Sequence, residues 1–241
     1  MTLLLVLLVA LVAGIISGII GMGGSIIMLP ILVPVYGPKA AVPIMAVAAV
    51  LSNLSRVAAW WREIDWRAFA AYAVTGVPAA VLGANTLLAL PARTVDLAIA
   101  TFLLAMIPGR RWLAERLGGL NLQQMAIAGG LIGFLTGVVA STGPVSVPVF
   151  LGYGLAKGAF IGTEAASSLA IYIAKAITFR SLGGLDADIL LNGVIVGAAL
   201  MAGAFIARPF VLRMEPERFR LMMDAMLLIS GGSLLVAALM G

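Results

Sequence analysis

The sequence contains no cysteine and no histidine. The first absence removes disulfides, thiolate metal sites and cysteine nucleophiles; the second removes the imidazole on which most metal sites and many proton relays depend. Charge is scarce too, at 10% of 241 residues, against 63% hydrophobic residues and a mean hydropathy of +1.16. Soluble domains carry about 25% charged side chains, so a water-soluble globule is excluded. Charged residues are missing altogether from Met1 to Pro38 and from Leu117 to Ala156. Each run is about twice the roughly 20 residues that one helix needs to cross a bilayer, so the chain reads as a polytopic helical membrane protein. Its net charge of +5 then marks cytoplasmic loops rather than a nucleic-acid surface. No basic n-region precedes the first apolar stretch, which argues against a secretory leader. No polar segment is long enough for a soluble domain, and residues 1–241 read as a single membrane domain. With no phosphate-binding loop, no cofactor is expected.

What is present is an internal echo. The two halves resemble each other at an offset of about 119 residues. Gly14-x-x-Ser17-Gly18 falls on Gly133-x-x-Thr136-Gly137, Gly23-Gly24 on Thr142-Gly143, Pro30 near Pro148, Lys39 near Lys157 and Arg56 on Lys175. Gly83 matches Gly203, and Pro91-Ala92-Arg93 lies over Pro216-Glu217-Arg218. Hydropathy gives helices near 3–20, 41–61, 67–90 and 94–108 in one half and near 123–140, 159–180, 187–208 and 217–240 in the other. Short apolar pieces lie near 24–36 and 144–155.

If each short piece returns the chain to the side it came from, Arg62, Arg67, Arg110, Arg111, Arg116, Lys157, Arg208, Arg213, Arg218 and Arg220 share one side. Lys39, Arg93 and Arg180 then share the other, the asymmetry that the positive-inside rule requires. The expected architecture is all-α: two inverted repeats, 1–109 and 122–241, joined by a cytoplasmic loop at 110–121, with both termini outside the cytoplasm. Each repeat has about four transmembrane helices plus a short broken or re-entrant helix at a Gly-rich motif. Repeated halves of this kind typify transporters.

The two breaks carry the chemistry. Gly18-Ile19-Ile20-Gly21-Met22-Gly23-Gly24-Ser25 places three glycines in four positions, which interrupts a helix in the apolar zone. Its partner is Ala140-Ser141-Thr142-Gly143-Pro144, where Ser or Thr suits a helix cap and Pro144 suits a first turn. Unwound backbone at that depth is tolerated only when buried in protein or lining a cavity. A helix start carries about half a positive charge and up to four unpaired N–H donors, so two starts brought together form a site for a small anion. Gly21, Gly23, Gly24, Ser25, Ser141, Thr142 and Gly143 are the candidate contacts, with Ser146 a further hydroxyl. The bland alternative is close helix packing, the role expected of Gly14-xxx-Gly18 and Gly133-xxx-Gly137.

Ser52, Asn53, Ser55 and Arg56 interrupt an otherwise apolar helix, and Lys175 matches Arg56 in the second half, with Tyr172 one turn before it. Intramembrane cations suggest a pathway, although long stems near a helix end also snorkel to the headgroups. Ser52, Asn53, Arg56 and Lys175 therefore join the candidate substrate contacts. Glu164 and Asp224 are candidate proton-coupling groups, although the positive start of its own helix is the better explanation of Glu164. Trp60, Trp61, Trp66 and Trp112, flanked by arginines, read as interfacial anchors.

The Gly-rich break running into an apolar segment with Pro30, repeated around Thr142-Gly143-Pro144 and Pro148, resembles the TauE/SafE family of membrane transporters, the sulfite exporters. The resemblance covers essentially the whole chain. It implies an inner-membrane, multi-pass permease moving a small sulfur-containing anion such as sulfite or an organosulfonate, often outward; Glu164 or Asp224 as a protonatable group would make that export proton-coupled. Alternatives from other classes are an anion channel using the same site and an intramembrane serine hydrolase. Without histidine, the hydrolase has to pair Ser141 with Lys175. The partners expected are the anion and the lipid bilayer, with a homodimer allowed and nucleic acid excluded.

Overall fold

A computed structural model describes residues 2–20, 24–139 and 142–207, together with Leu228, Gly232 and Val236. Among these residues every regular element is helical. The first half runs α1 (Thr2–Ile20), the short α2 (Gly24–Tyr36), α3 (Pro38–Trp60), a 3₁₀ turn (Trp61–Glu63), α4 (Trp66–Ala89) and α5 (Ala92–Arg116). The second half runs α6 (Leu122–Val138), the short α7 (Gly143–Gly152), α8 (Lys157–Ser181) and α9 (Ala187–Ala207). The helix expected at 217–240 lies outside the described residues, apart from those three single positions.

Lys39–Glu63, Trp66–Ala89, Ala92–Gly109 and Gly158–Ser181 are long and apolar enough to cross a membrane. The two short helices are not. With 13 and 10 residues, α2 and α7 reach only about 20 and 15 Å at ~1.5 Å per residue, against a hydrocarbon layer of about 30 Å. Prolines sit inside both, Pro30 and Pro34 in α2 and Pro148 in α7, and each removes one intrahelical N–H donor.

One boundary differs from the hydropathy reading. The polar segment from Arg110 belongs to a helix, because α5 continues through Pro108 to Arg116. The residues after Pro108 include Leu113, Ala114, Glu115 and Arg116, all good helix formers. Arg116 also stacks over Trp112, 5.4 Å from the ring centroid. The non-helical connection to α6 is therefore 117–121. Asn121 closes it by capping α6, its side chain accepting from Gln124 N at 2.9 Å while the Gln124 side chain accepts from Asn121 N.

Packing between helices follows the internal echo. α4 lies along α6 and α1 along α9; α3 packs on α9 and α4 on α8; α3 and α8 meet each other. With α1–α4 aligned on α6–α9, each of these contacts is the image of another, and the α3–α8 contact is its own image. Glycine makes the closest approaches possible. A Cβ on Gly83 would stand 2.2 Å from the Phe134 carbonyl oxygen, and one on Gly203 would stand 2.3 Å from that of Leu11. Gly14 abuts Leu200 and Gly133 abuts Gly76 in the same way, so these residues do the packing expected of small-residue motifs.

Val74, Leu82, Ile127 and Leu131 are exposed on the outer faces of α4 and α6, and Trp61, Trp66 and Trp112 are exposed near helix ends. An apolar core and a belt of indoles against lipid account for both sets. At the α3–α4 turn, Asp65 caps α4 through the N–H groups of Arg67 and Ala68, both at 3.0 Å, while its own N–H donates to Thr163 Oγ1 at 2.9 Å. That last bond ties the end of α3 to α8 and fixes how the two helices face each other.

Candidate functional site

The two short helices begin at one small cavity of about 50 Å³. On the same measure a single water needs roughly 10–15 Å³, so there is room for a guest of a few atoms. Gly24 and Ser25, the first residues of α2, line it on one side; Thr142 and Gly143, at the start of α7, line it on the other. α3 contributes Met45, Ala49, Ser52, Asn53 and Arg56, and α8 contributes Glu164, Ser168 and Tyr172. Leu200 of α9 closes the remaining side.

The lining obeys the repeat register. At an offset of 119, Met45 falls on Glu164, Ala49 on Ser168 and Asn53 on Tyr172, the same four-residue steps along one helical face. Gly24 falls on Gly143. Two α3 positions, Ser52 and Arg56, have counterparts, Ile171 and Lys175, that do not line the cavity.

The charged pair at the centre is set in a network of hydrogen bonds. Arg56 Nη1 donates to Glu164 Oε2 at 3.2 Å, and Nη2 donates to Asn53 Oδ1. The Asn53 amide nitrogen donates in turn to the Ala49 carbonyl at 2.8 Å, which fixes the amide so that its oxygen faces the guanidinium. Glu164 Oε1 accepts from Ser168 Oγ at 2.8 Å and from Ser146 Oγ at 3.3 Å. With side chains 18% and 6% exposed, the two ions are largely out of solvent, and such a pair persists only when its remaining hydrogen-bonding capacity is met. Arg56 thus turns inward instead of snorkelling. Glu164 is the eighth residue of α8, beyond the first turn over which a helix start acts, so its position is explained by Arg56 and not by the macrodipole of its own helix.

The start of α7 leaves one N–H donor without an intrahelical acceptor. Val145 and Ser146 bond back to the Thr142 carbonyl at 2.9 and 3.0 Å and Pro144 has no N–H, while the N–H of Gly143 has no acceptor within its helix. Thr142 is the N-cap residue, as its sequence position suggests, but its hydroxyl makes no capping bond. It pairs with the Thr136 hydroxyl, which also bonds the Ile132 carbonyl at 2.7 Å. Asp65 and Asn121 cap α4 and α6 with their side chains, whereas α3, α5 and α8, like α7, start without a side-chain cap.

Lys175 is placed elsewhere. It is fully buried, and its Nζ donates to the Thr136 and Val139 carbonyls at the end of α6, the second at 2.8 Å, with the Phe179 ring centroid 5.6 Å away. The ammonium is committed to the end of one helix, not to a serine. Gly21, Gly23, Ser141 and Asp224 lie outside the described residues. Of the other expected contacts, Gly24, Ser25, Ser52, Asn53, Arg56, Thr142 and Gly143 meet at the cavity, joined by Glu164. Met45, Ala49 and Leu200 carry no polar signal in the sequence; the four-residue stripe shared by α3 and α8 is the feature from which Met45 and Ala49 are recoverable.

Taking about +0.5 for each helix start, +1 for Arg56 and −1 for Glu164, the cavity sums to about +1. It offers N–H, hydroxyl and guanidinium donors, the complement of a compact oxyanion. No curated protein and no solved structure matches the chain. The family model described as Sulfite exporter TauE/SafE matches residues 6–234, which takes in both breaks, both short helices and every residue of the cavity. The chain belongs to the TauE/SafE sulfite exporter family, membrane transporters of sulfur anions.

Proposed function

We propose that the protein is a secondary transporter of a small sulfur-containing anion, sulfite or an organosulfonate, that works in the cell inner membrane by alternating access between two inverted halves. The observation that carries this reading is the meeting of both short-helix starts and Arg56 at one cavity. The paired contacts, α4–α6 with α1–α9 and α3–α9 with α4–α8, support two halves related by a pseudo-two-fold axis through that cavity. Sulfite and the sulfonate group each present three oxygens to the donors gathered there, and a planar guanidinium holds two oxygens at once.

Glu164 gives the site a means of coupling. Its carboxylate holds Arg56, so an arriving anion competes with it for the same guanidinium. Protonation of Glu164 removes the competing charge and makes the cavity more positive by one unit, so anion and proton move in the same direction and the anion's flux responds to a proton gradient.

A thermal-shift series on the purified protein tests the anion site, since a ligand at 100 times its Kd stabilises the folded state by about 2.7 kcal/mol. Sulfite, thiosulfate or organosulfonates are expected to raise the unfolding temperature more than carboxylates do, and the double variant Arg56→Met/Glu164→Met is expected to lose that shift. An unchanged shift in the double variant, or none in the parent, overturns the site. For the coupling, Glu164→Gln in vesicles is expected to carry the anion without response to an imposed proton gradient. A retained response removes Glu164 from that role.

A further inference from the structure

Arg56 and Lys175 hold the same position in the two halves, one turn beyond a cavity-lining residue, Asn53 in α3 and Tyr172 in α8. Arg56 lies in the cavity. Lys175 is withdrawn, its ammonium held by two backbone carbonyls, with no carboxylate in ion-pair distance among the described residues. Burying an ammonium without a counter-ion is expensive, and a charge kept inside a membrane bundle at that expense marks a pathway.

The carbonyls that hold it, of Thr136 and Val139, fall at the repeat offset on those of Ser17 and Ile20 at the end of α1. The described arrangement, one cation in and one out, therefore has a counterpart in which the halves exchange roles. There Lys175 enters the cavity and Arg56 retires to the end of α1. We propose that Lys175 is the second anion-contacting cation, used in the state open to the opposite side of the membrane; this rests on the alternating-access reading above. The two cations differ in kind. A guanidinium grips an oxyanion with a planar fork, whereas an ammonium is a compact, strongly hydrated point charge, so the two faces should bind the same anion with different affinity and selectivity.

The absence of cysteine makes the test direct. Lys175→Cys, Arg56→Cys and Ser25→Cys each supply a single thiol in reconstituted vesicles. Aminoethyl methanethiosulfonate reacts with a thiolate by displacement of methanesulfinate, leaving a disulfide-linked ammonium close in length to lysine. The expected result is that Lys175→Cys is labelled only while an organosulfonate is being transported, sulfite itself being a nucleophile that cleaves both the reagent and the disulfide, and that labelling restores its flux. In right-side-out and inside-out vesicles, Lys175→Gln is expected to raise KM on one face by about 10- to 100-fold, the size of a lost charge-assisted hydrogen bond. Arg56→Gln is expected to do so on the other face.

If Lys175→Cys stays unlabelled during turnover while Ser25→Cys reacts, or if Lys175→Gln leaves KM unchanged on both faces, the residue is only a fastener for the end of α6 and the proposal fails. Should Lys175→Cys not fold, the two-face KM comparison with Lys175→Gln and Lys175→Arg decides alone. Failure of the underlying anion reading has its own signature: the organosulfonate would not protect Arg56→Cys from labelling.

Discussion

α3 and α8 turn the same stripe toward one cavity and put different chemistry on it. Where α3 carries Met45, Ala49 and Asn53, α8 carries Glu164, Ser168 and Tyr172, and the cation one turn further on enters the cavity from α3 but leaves it from α8. The backbone relation is kept while the side chains have parted. Two equivalent helix starts make the site attractive to an anion whatever the side chains do. Divergence adds a carboxylate on one helix that holds the arginine of the other, which in the proposed function is an internal competitor for the anion. A transporter needs that property, because a site that only attracts its ion does not release it.

The hardest blow to the comparison is Arg56→Met. It leaves the Glu164 carboxylate buried without its partner, and the expected loss is about 3–5 kcal/mol of stability with no residual transport. Adding Glu164→Met should restore most of the stability and none of the flux, read by unfolding in detergent beside vesicle uptake. A single variant as stable as the parent would show that the pair does not join α3 to α8.

Next come two matched glycines, Gly83→Ala and Gly203→Ala. Their added Cβ atoms meet the Phe134 carbonyl oxygen at 2.2 Å and the Leu11 carbonyl oxygen at 2.3 Å, one in each of the corresponding α4–α6 and α1–α9 seams. Each should cost about 1–3 kcal/mol through forced separation of two backbones. Gly118→Ala, with open space around it, is the control. Strongly unequal losses would break the equivalence of the α4–α6 and α1–α9 seams.

Much of this is visible in the sequence, for a physical reason. Lipid demands long apolar runs, so most helices announce themselves, and a glycine cluster or Ser-Thr-Gly-Pro inside such a run is conspicuous because hydrocarbon does not tolerate it elsewhere. Ser52, Asn53 and Arg56 stand out for the same reason. What the sequence does not reveal is direction. Arg56 near a helix end has two outlets, the headgroups or the interior, and the choice is made by Glu164, 108 residues away. Lys175 has the matching position and the other answer, because in this state the open carbonyls of α6 lie within its reach. The continuation of α5 past Pro108 was hidden by charge, which hydropathy counts as an interruption although arginine and glutamate favour a helix. Met45, Ala49 and Leu200 look like any core residue until the opposite helix is in place.

The finest test concerns one hydroxyl. Ser168 is an alanine, Ala49, at the matching place on α3, so Ser168→Ala makes the two stripes alike there. Glu164 Oε1 then keeps only the longer bond from Ser146, 3.3 Å against the 2.8 Å that is lost. The expected cost is about 1 kcal/mol, within the usual range for one hydrogen bond, and Ser146→Ala should cost less. The two together should exceed the sum of the single losses, because the first deletion leaves one donor on the carboxylate oxygen and the second leaves none. Simple additivity in the unfolding data would mean that water already supplies the missing donor, and that the cavity is wet on the Glu164 side even when no anion is bound.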